Sequence, residues 1–192
     1  MKIFCIGYNK TGTTSLWSLM KNNNISVAEC SGFESNVESY FNGNYDVFMD
    51  LINKNTSDPI FFQDVPFSFP FIYKTLDKTY PGSKFILTVR DNENEWYGSL
   101  RRFYAHMFPH KEPDWIFRML TETYKAPKND IYNEKNLKNS YLNHIKDVEN
   151  YFKNSKNFIK INLKDHNVIE KIENLLGLNF EQKVVPYLNK SK

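Results

Sequence analysis

Ile3-Phe4-Cys5-Ile6-Gly7-Tyr8-Asn9-Lys10-Thr11-Gly12-Thr13-Thr14 is the stretch that decides the fold. Ile3 to Ile6 is a short apolar run rich in strand formers, and Gly7 to Gly12 has the composition of a loop. Leu16, Leu19 and Met20 then recur at helical spacing. A strand that feeds a helix through such a loop aims the loop N–H groups and the helix N-terminus at one point, which favours an anion there. The two glycines have four residues between them, as in the triphosphate-binding loop, but that pattern continues Gly-Lys-Ser/Thr. Here Gly12 is followed by Thr13-Thr14, and the lysine, Lys10, stands two residues before Gly12.

Working outward, Ile60 to Phe62 is a second buried-strand candidate, and the turn Asp64-Val65-Pro66 follows it. A helix with apolar positions Phe67, Phe71, Ile72 and Leu76 is predicted next, closed by Pro81-Gly82. Phe85 to Val89 is continuous and apolar, as expected of a parallel strand covered on both faces, and it ends at Arg90-Asp91. Tyr141, Ile145, Val148 and Phe152 form one helical stripe; Val168, Ile169, Ile172, Leu175 and Leu176 form another that stops at Gly177. Between them Phe158 to Leu163 predicts one more strand. The alternation predicts an α/β fold in a single domain over residues 1–192, with a mainly parallel sheet flanked by helices. Its ligand is expected beyond the carboxyl ends of the strands.

Composition bounds the rest. The 192 residues are 41% hydrophobic and 16% aromatic, which describes a folded chain and not a disordered one. A net charge of +3 is too small by itself to argue for nucleic acid, and no nucleic-acid partner is expected; one anionic ligand needs only a basic pocket. Cys5 and Cys30 have neither metal-ligand nor disulfide-framework spacing and are expected to be buried thiols. His110, His144 and His166 are assigned to loops or polar helix faces, and no pair has the spacing of a metal site. The start of the chain lacks a signal-peptide pattern, and no window has the ~18 apolar residues of a membrane helix. A cytoplasmic protein without a membrane partner is expected, and no pattern specifies an oligomer.

GYNKTGTTSL at residues 7–16 resembles the 5'-phosphosulfate loop of the sulfotransferase superfamily, in which a Lys or Arg precedes Gly-Thr-Thr at this spacing. YPGSKFILTVRDNENEWYGSL at 80–100 resembles that family's 3'-phosphate segment, in which a strand-terminal Arg is followed by a helix carrying a Ser. FQDVPF resembles its second strand and loop, and IENLLGLNFEQKVVPYLNKSK its last helix and tail. The resemblance implies a P-loop-like fold and transfer of a sulfuryl group from 3'-phosphoadenosine 5'-phosphosulfate (PAPS), leaving 3'-phosphoadenosine 5'-phosphate, with no metal required. It implies that Lys10 contacts the oxygen bridging phosphate and sulfate. Thr13 and Thr14, with the loop residues Asn9, Thr11, Gly12 and Ser15, would hold the 5'-phosphate. Arg90 and Ser99 would hold the 3'-phosphate, a use that suits the planar fork of an arginine.

An acceptor hydroxyl or amine needs a base, and Asp64, after the second strand, is the preferred candidate, with His106 as the alternative. A capping role for Asp64 at the following helix is the bland alternative. Trp96 and Tyr97 are expected in the core. The acceptor is expected to be a small molecule or a glycan. Two other readings remain open at this point. One is a nucleotide kinase or triphosphatase, with Ile60 to Asp64 as the strand end that holds Mg²⁺. The other is an inactive nucleotide-binding or interaction module.

Overall fold

Five parallel strands carry the molecule, and the structure, a computed structural model, describes residues 1–186. They are β1 (Lys2–Cys5), β2 (Ser26–Val27), β3 (Ile60–Phe62), β4 (Lys84–Val89) and β5 (Phe158–Asn162), arranged in the order β2-β3-β1-β4-β5. β1 therefore lies at the centre, paired in parallel register with β3 (Phe4 opposite Phe62) and with β4 (Phe4 opposite Phe85). Successive side chains of a strand point to opposite faces. Phe4 and Ile6 accordingly enter one core, while Ile3 and Cys5 enter the other.

Two helical layers cover these faces. The first layer contains α1 (Thr13–Asn22) and α9 (Val168–Leu176), whose Leu16, Leu19, Met20, Ile172 and Leu176 pack on Ile3, Cys5 and Ile86. Gly177 ends α9 at φ 66, the left-handed cap that glycine adopts at no steric cost. The second layer contains α4 (Asp46–Lys54), α5 (Ile72–Thr79) and α8 (Glu134–Tyr151). There Phe4 stacks on Phe62 and Phe67 with centroids 5.2 and 5.7 Å apart. Because α1 and α5 leave the sheet over opposite faces, a crevice opens beyond the carboxyl ends of β1, β3 and β4, where doubly wound sheets bind their ligands. Short helices α2 (Cys30–Glu34), α3 (Val37–Phe41) and α7 (Asp114–Arg118), with the long α6 (Glu93–Met107), surround that end. Among the described residues no helix is long and apolar enough to cross a membrane.

Three local expectations are corrected. The helix expected from Phe67 begins at Ile72: residues 64–71 form turns, bounded by Asp64 at φ 66 and Phe71 at φ 69. A left-handed residue cannot continue a right-handed helix, so Phe71 leaves the apolar stripe and is 56% exposed. Cys30 is only half-buried, at the start of α2, where Gln63 Nε2 lies 3.3 Å from its Sγ. His144, placed by sequence on a polar surface, is buried, because its ring stacks on Tyr8 and its Nε2 meets the carbonyl of Ile6 at 2.8 Å. The tail from Tyr187 onward lies outside the described residues.

Candidate active site

Gly7 and Gly12 shape the loop that joins β1 to α1. A Cβ on Gly7 would stand 2.1 Å from Thr88 Oγ1 and 2.5 Å from the Thr88 carbonyl oxygen, so β4 passes against bare backbone here. Gly12 caps α1 at φ 99 with no side-chain bond to the first-turn amides. The unpaired N–H groups of a helix's first turn are where an anion is stabilised. Thr13, Thr14 and Ser15 of that turn line the cavity together with Gly12. Thr11 departs from expectation. It is 2% exposed, its hydroxyl lies 2.6 Å from both the Tyr8 carbonyl and Thr88 Oγ1, and its N–H donates to the Tyr8 carbonyl. Thr11 therefore braces the loop from beneath.

Lys10 sits at φ 73 on the crest of the loop. Arg90, delivered by the end of β4, donates from Nε to the Lys10 carbonyl at 2.8 Å and from Nη2 to Ser99 Oγ at 3.4 Å. Arg90, Ser99 and Lys10 thus meet in one place, although 80 residues separate Lys10 from Arg90. The side chain of Asn92 accepts from Glu95 N–H at 2.9 Å and starts α6, which fixes the turn on which Ser99 stands. Burial, together with the neighbouring Arg90 cation, lowers the Lys10 ammonium to a pKa of about 8, against a raising influence of Asp64. Lys10 Nζ lies 3.5 Å from the centroid of Phe103, a cation–π contact with the cavity wall.

Asp64 faces the same cavity from the end of β3. Desolvation raises its pKa above the ordinary carboxylate value, and Glu34 adds to the rise; hydrogen bonds from Asn9 and the Val65 N–H, with Lys10 nearby, oppose it. Its side chain accepts from Val65 N–H at 3.0 Å and from Asn9 Nδ2, so its carboxylate caps no helix. Asn9 is held in turn: its Oδ1 accepts from Ser68 Oγ at 2.8 Å and from Tyr124 OH at 3.1 Å, and its carbonyl accepts from Trp96 Nε1 at 2.9 Å. The Asn9 side chain orients the carboxylate, which is a positioning role that loop resemblance alone does not reveal. Trp96 is fully buried and stacks on Tyr141 at 4.6 Å, in agreement with the core reading.

The cavity between these groups measures about 320 Å³. Its far wall is apolar and aromatic: Phe103, Tyr104 and Met107 from α6, Phe108 just beyond it, and Trp115 and Ile116 from α7. Sequence reasoning missed this wall. The spacing Ser99, Phe103, Met107 was the available signal, since steps of four place residues on one helical face; Trp115 and Ile116 come from a segment with no such link to a motif. His106 is exposed on the last turn of α6 and does not line the cavity. Of the candidates, the structure brings together Asn9, Lys10, Gly12, Thr13, Thr14, Ser15, Asp64, Arg90 and Ser99, while Thr11 and His106 stand apart.

The site thus combines a helix N-terminus, two cations and a half-buried carboxylate opposite an apolar wall. No curated protein matches the chain. The sulfotransferase domain family matches over residues 2–192. A parallel sheet with this loop at its centre and a match that spans the length of the chain lead to one assignment: the chain belongs to the sulfotransferase domain family.

Proposed function

We propose that the protein transfers the sulfuryl group of PAPS to a hydroxyl or amine of a small-molecule or glycan acceptor. The observation that carries this reading is the convergence of Lys10 and Arg90 on one cavity, held together by the bond from Arg90 Nε to the Lys10 carbonyl. A nucleotide with phosphates at both 3' and 5' positions needs two protein anion sites. The first turn of α1 with Lys10 supplies one, and Arg90 with Ser99 supplies the other. PAPS brings an activated sulfur–oxygen bond.

In the reaction, an acceptor oxygen or nitrogen forms a bond to sulfur as the bond from sulfur to the 5'-phosphate oxygen breaks. Asp64 takes the acceptor's proton, and the departing phosphate keeps the electron pair. Lys10 stabilises that growing charge, and a fixed cation at a developing oxyanion lowers the barrier more than it tightens ground-state binding. A raised carboxylate is the better base, since Brønsted behaviour favours a pKa nearer the working pH. The aromatic wall of Phe103, Phe108 and Trp115 offers the acceptor an apolar surface beside the carboxylate.

The test is a transfer assay with ³⁵S-labelled PAPS against a panel of phenols, aliphatic alcohols, amines and oligosaccharides. Labelled product from at least one acceptor, lost in Lys10→Ala and Asp64→Asn, is the expected result. Transfer at wild-type rates by both variants contradicts the assigned roles.

A further inference from the structure

The guanidinium of Arg90 is engaged at all three of its nitrogens. Nε donates to the Lys10 carbonyl at 2.8 Å and Nη2 to Ser99 Oγ at 3.4 Å, while Nη1 stands 3.7 Å from Glu95 Oε1, an ion pair beyond hydrogen-bond distance. Glu95 lies on the first turn of α6, one helical turn before Ser99. A carboxylate so placed competes with any anion for Arg90. Closing the remaining gap would give it the charge-assisted pairing that arginine and carboxylate favour.

A second cation holds it back. Lys164 follows the end of β5 by two residues, and its Nζ donates to the same Glu95 Oε1 at 2.6 Å and to Asp91 Oδ2 at 2.6 Å. The surrounding loop is fixed in place. Lys164 N–H donates to Asn162 Oδ1 at 3.1 Å, and Asn162 Nδ2 donates to Asp91 Oδ1. Glu95 Oε2 accepts from Asp91 N–H at 3.2 Å. Leu163, next in the chain to Lys164, packs on the phosphate loop, where a Cβ on Gly12 would stand 2.5 Å from Leu163 Cδ1. The two distances decide which cation holds the carboxylate, since 2.6 Å is a charge-assisted hydrogen bond and 3.7 Å is not. The bond from Lys164 also holds the Asp91 carboxyl below its ordinary pKa. In charge, Arg90 and Lys164 balance Asp91 and Glu95. Without Lys164 the group is negative by one, and it would face a phosphate monoester of about −1.5 to −2.

We propose that Lys164 is a positioning residue for the 3'-phosphate of the nucleotide: it holds Glu95 away from Arg90 and so keeps the guanidinium open to that phosphate. The inference rests on the reading of Arg90 and Ser99 as the 3'-phosphate site. It makes Lys164, which does not line the active-site cavity, a determinant of selectivity for a 3'-phosphorylated nucleotide over 5'-AMP.

Isothermal titration calorimetry of the full chain with 3'-phosphoadenosine 5'-phosphate and with 5'-AMP tests the proposal. Lys164→Met should weaken the first about fivefold, the size expected of one partly exposed charge, and leave the second unchanged. Adding Glu95→Gln to Lys164→Met should restore wild-type affinity, because the competing carboxylate is gone and the charge balance returns. Lys164→Arg should bind as the wild type does. The Lys164 side chain is 44% exposed, so these changes leave the core untouched, and an unchanged affinity for 5'-AMP reports an intact phosphate loop. Wild-type affinity for 3'-phosphoadenosine 5'-phosphate in Lys164→Met overturns the proposal. So does an equal loss for both nucleotides, or a loss that Glu95→Gln does not reverse. If the wild type does not bind 3'-phosphoadenosine 5'-phosphate, or if Arg90→Ala binds it as tightly, the reading of the site itself fails and this inference falls with it.

Discussion

Lys10 should impose an alkaline limit on activity. Burial in the cavity wall and the Arg90 cation bring its ammonium to a pKa of about 8, so the charge proposed to stabilise the leaving phosphate is lost as pH rises through that value. The profile of kcat/KM for PAPS reports the free enzyme, and it should fall above pH about 8, by about tenfold per further pH unit once the amine is mostly neutral. Bound donor places negative charge beside Lys10 and favours the ammonium, so the limb in kcat should lie at higher pH. At pH 7, Lys10→Ala should lower kcat by ~10²–10³, the usual ~2.7–4 kcal/mol for one preorganised charge at a developing oxyanion. Lys10→Arg keeps its charge over the whole range and should lose the alkaline limb, whatever its absolute rate. The assay is initial-rate release of 3'-phosphoadenosine 5'-phosphate with the best acceptor from the transfer panel. A wild-type kcat/KM that stays flat through the pKa, or a limb that persists in Lys10→Arg, would refute the role given to this residue.

Two further outcomes follow from the same geometry. Asp64→Asn should abolish turnover yet raise the melting temperature at pH 7, because it replaces a partly desolvated charge with a neutral amide that still accepts from Asn9 and Val65. As the folded-state pKa of Asp64 is raised, the native protein takes up this proton more readily than the unfolded chain, so the gain should shrink as pH falls; a difference that is constant with pH in calorimetry would contradict this. Gly7→Ala should destabilise the protein by about 3 kcal/mol or more, since its Cβ meets Thr88 backbone and side chain at 2.5 and 2.1 Å. An unchanged denaturation midpoint would show that the β1 loop and β4 are less closely packed than described.

The parallel sheet was legible because β1, β4 and the helices after them are written in strong periodic patterns: a continuous apolar Phe85-Ile86-Leu87 and a stripe of Leu16, Leu19 and Met20. The loop was legible through Gly7 and Gly12, which local geometry demands. What stayed hidden depends on contacts distant in sequence. Nothing local to Phe71 announces a left-handed residue, and the helical reading of Phe67 to Leu76 failed on that point. His144 looked like a polar-face residue because its partner, the Ile6 carbonyl, is 138 positions away. Thr11 was legible as a loop residue but not as one turned inward, since Thr88 sets its direction. The clamp that Asn9 forms on Asp64 likewise needs Ser68, Tyr124 and Trp96, which only the fold assembles.

The most direct measurement of the central claim is the thermal shift given by 3'-phosphoadenosine 5'-phosphate, which needs no knowledge of the acceptor. At a hundredfold excess over Kd a ligand that binds only the folded state adds ~2.7 kcal/mol. For a chain near 200 residues this corresponds to about 5–11 °C. The account predicts that shift in the absence of Mg²⁺, a much smaller one with 5'-AMP, which leaves Arg90 and Ser99 without a phosphate, and loss of the distinction in Arg90→Ala. A larger shift with Mg-ATP than with 3'-phosphoadenosine 5'-phosphate would contradict it.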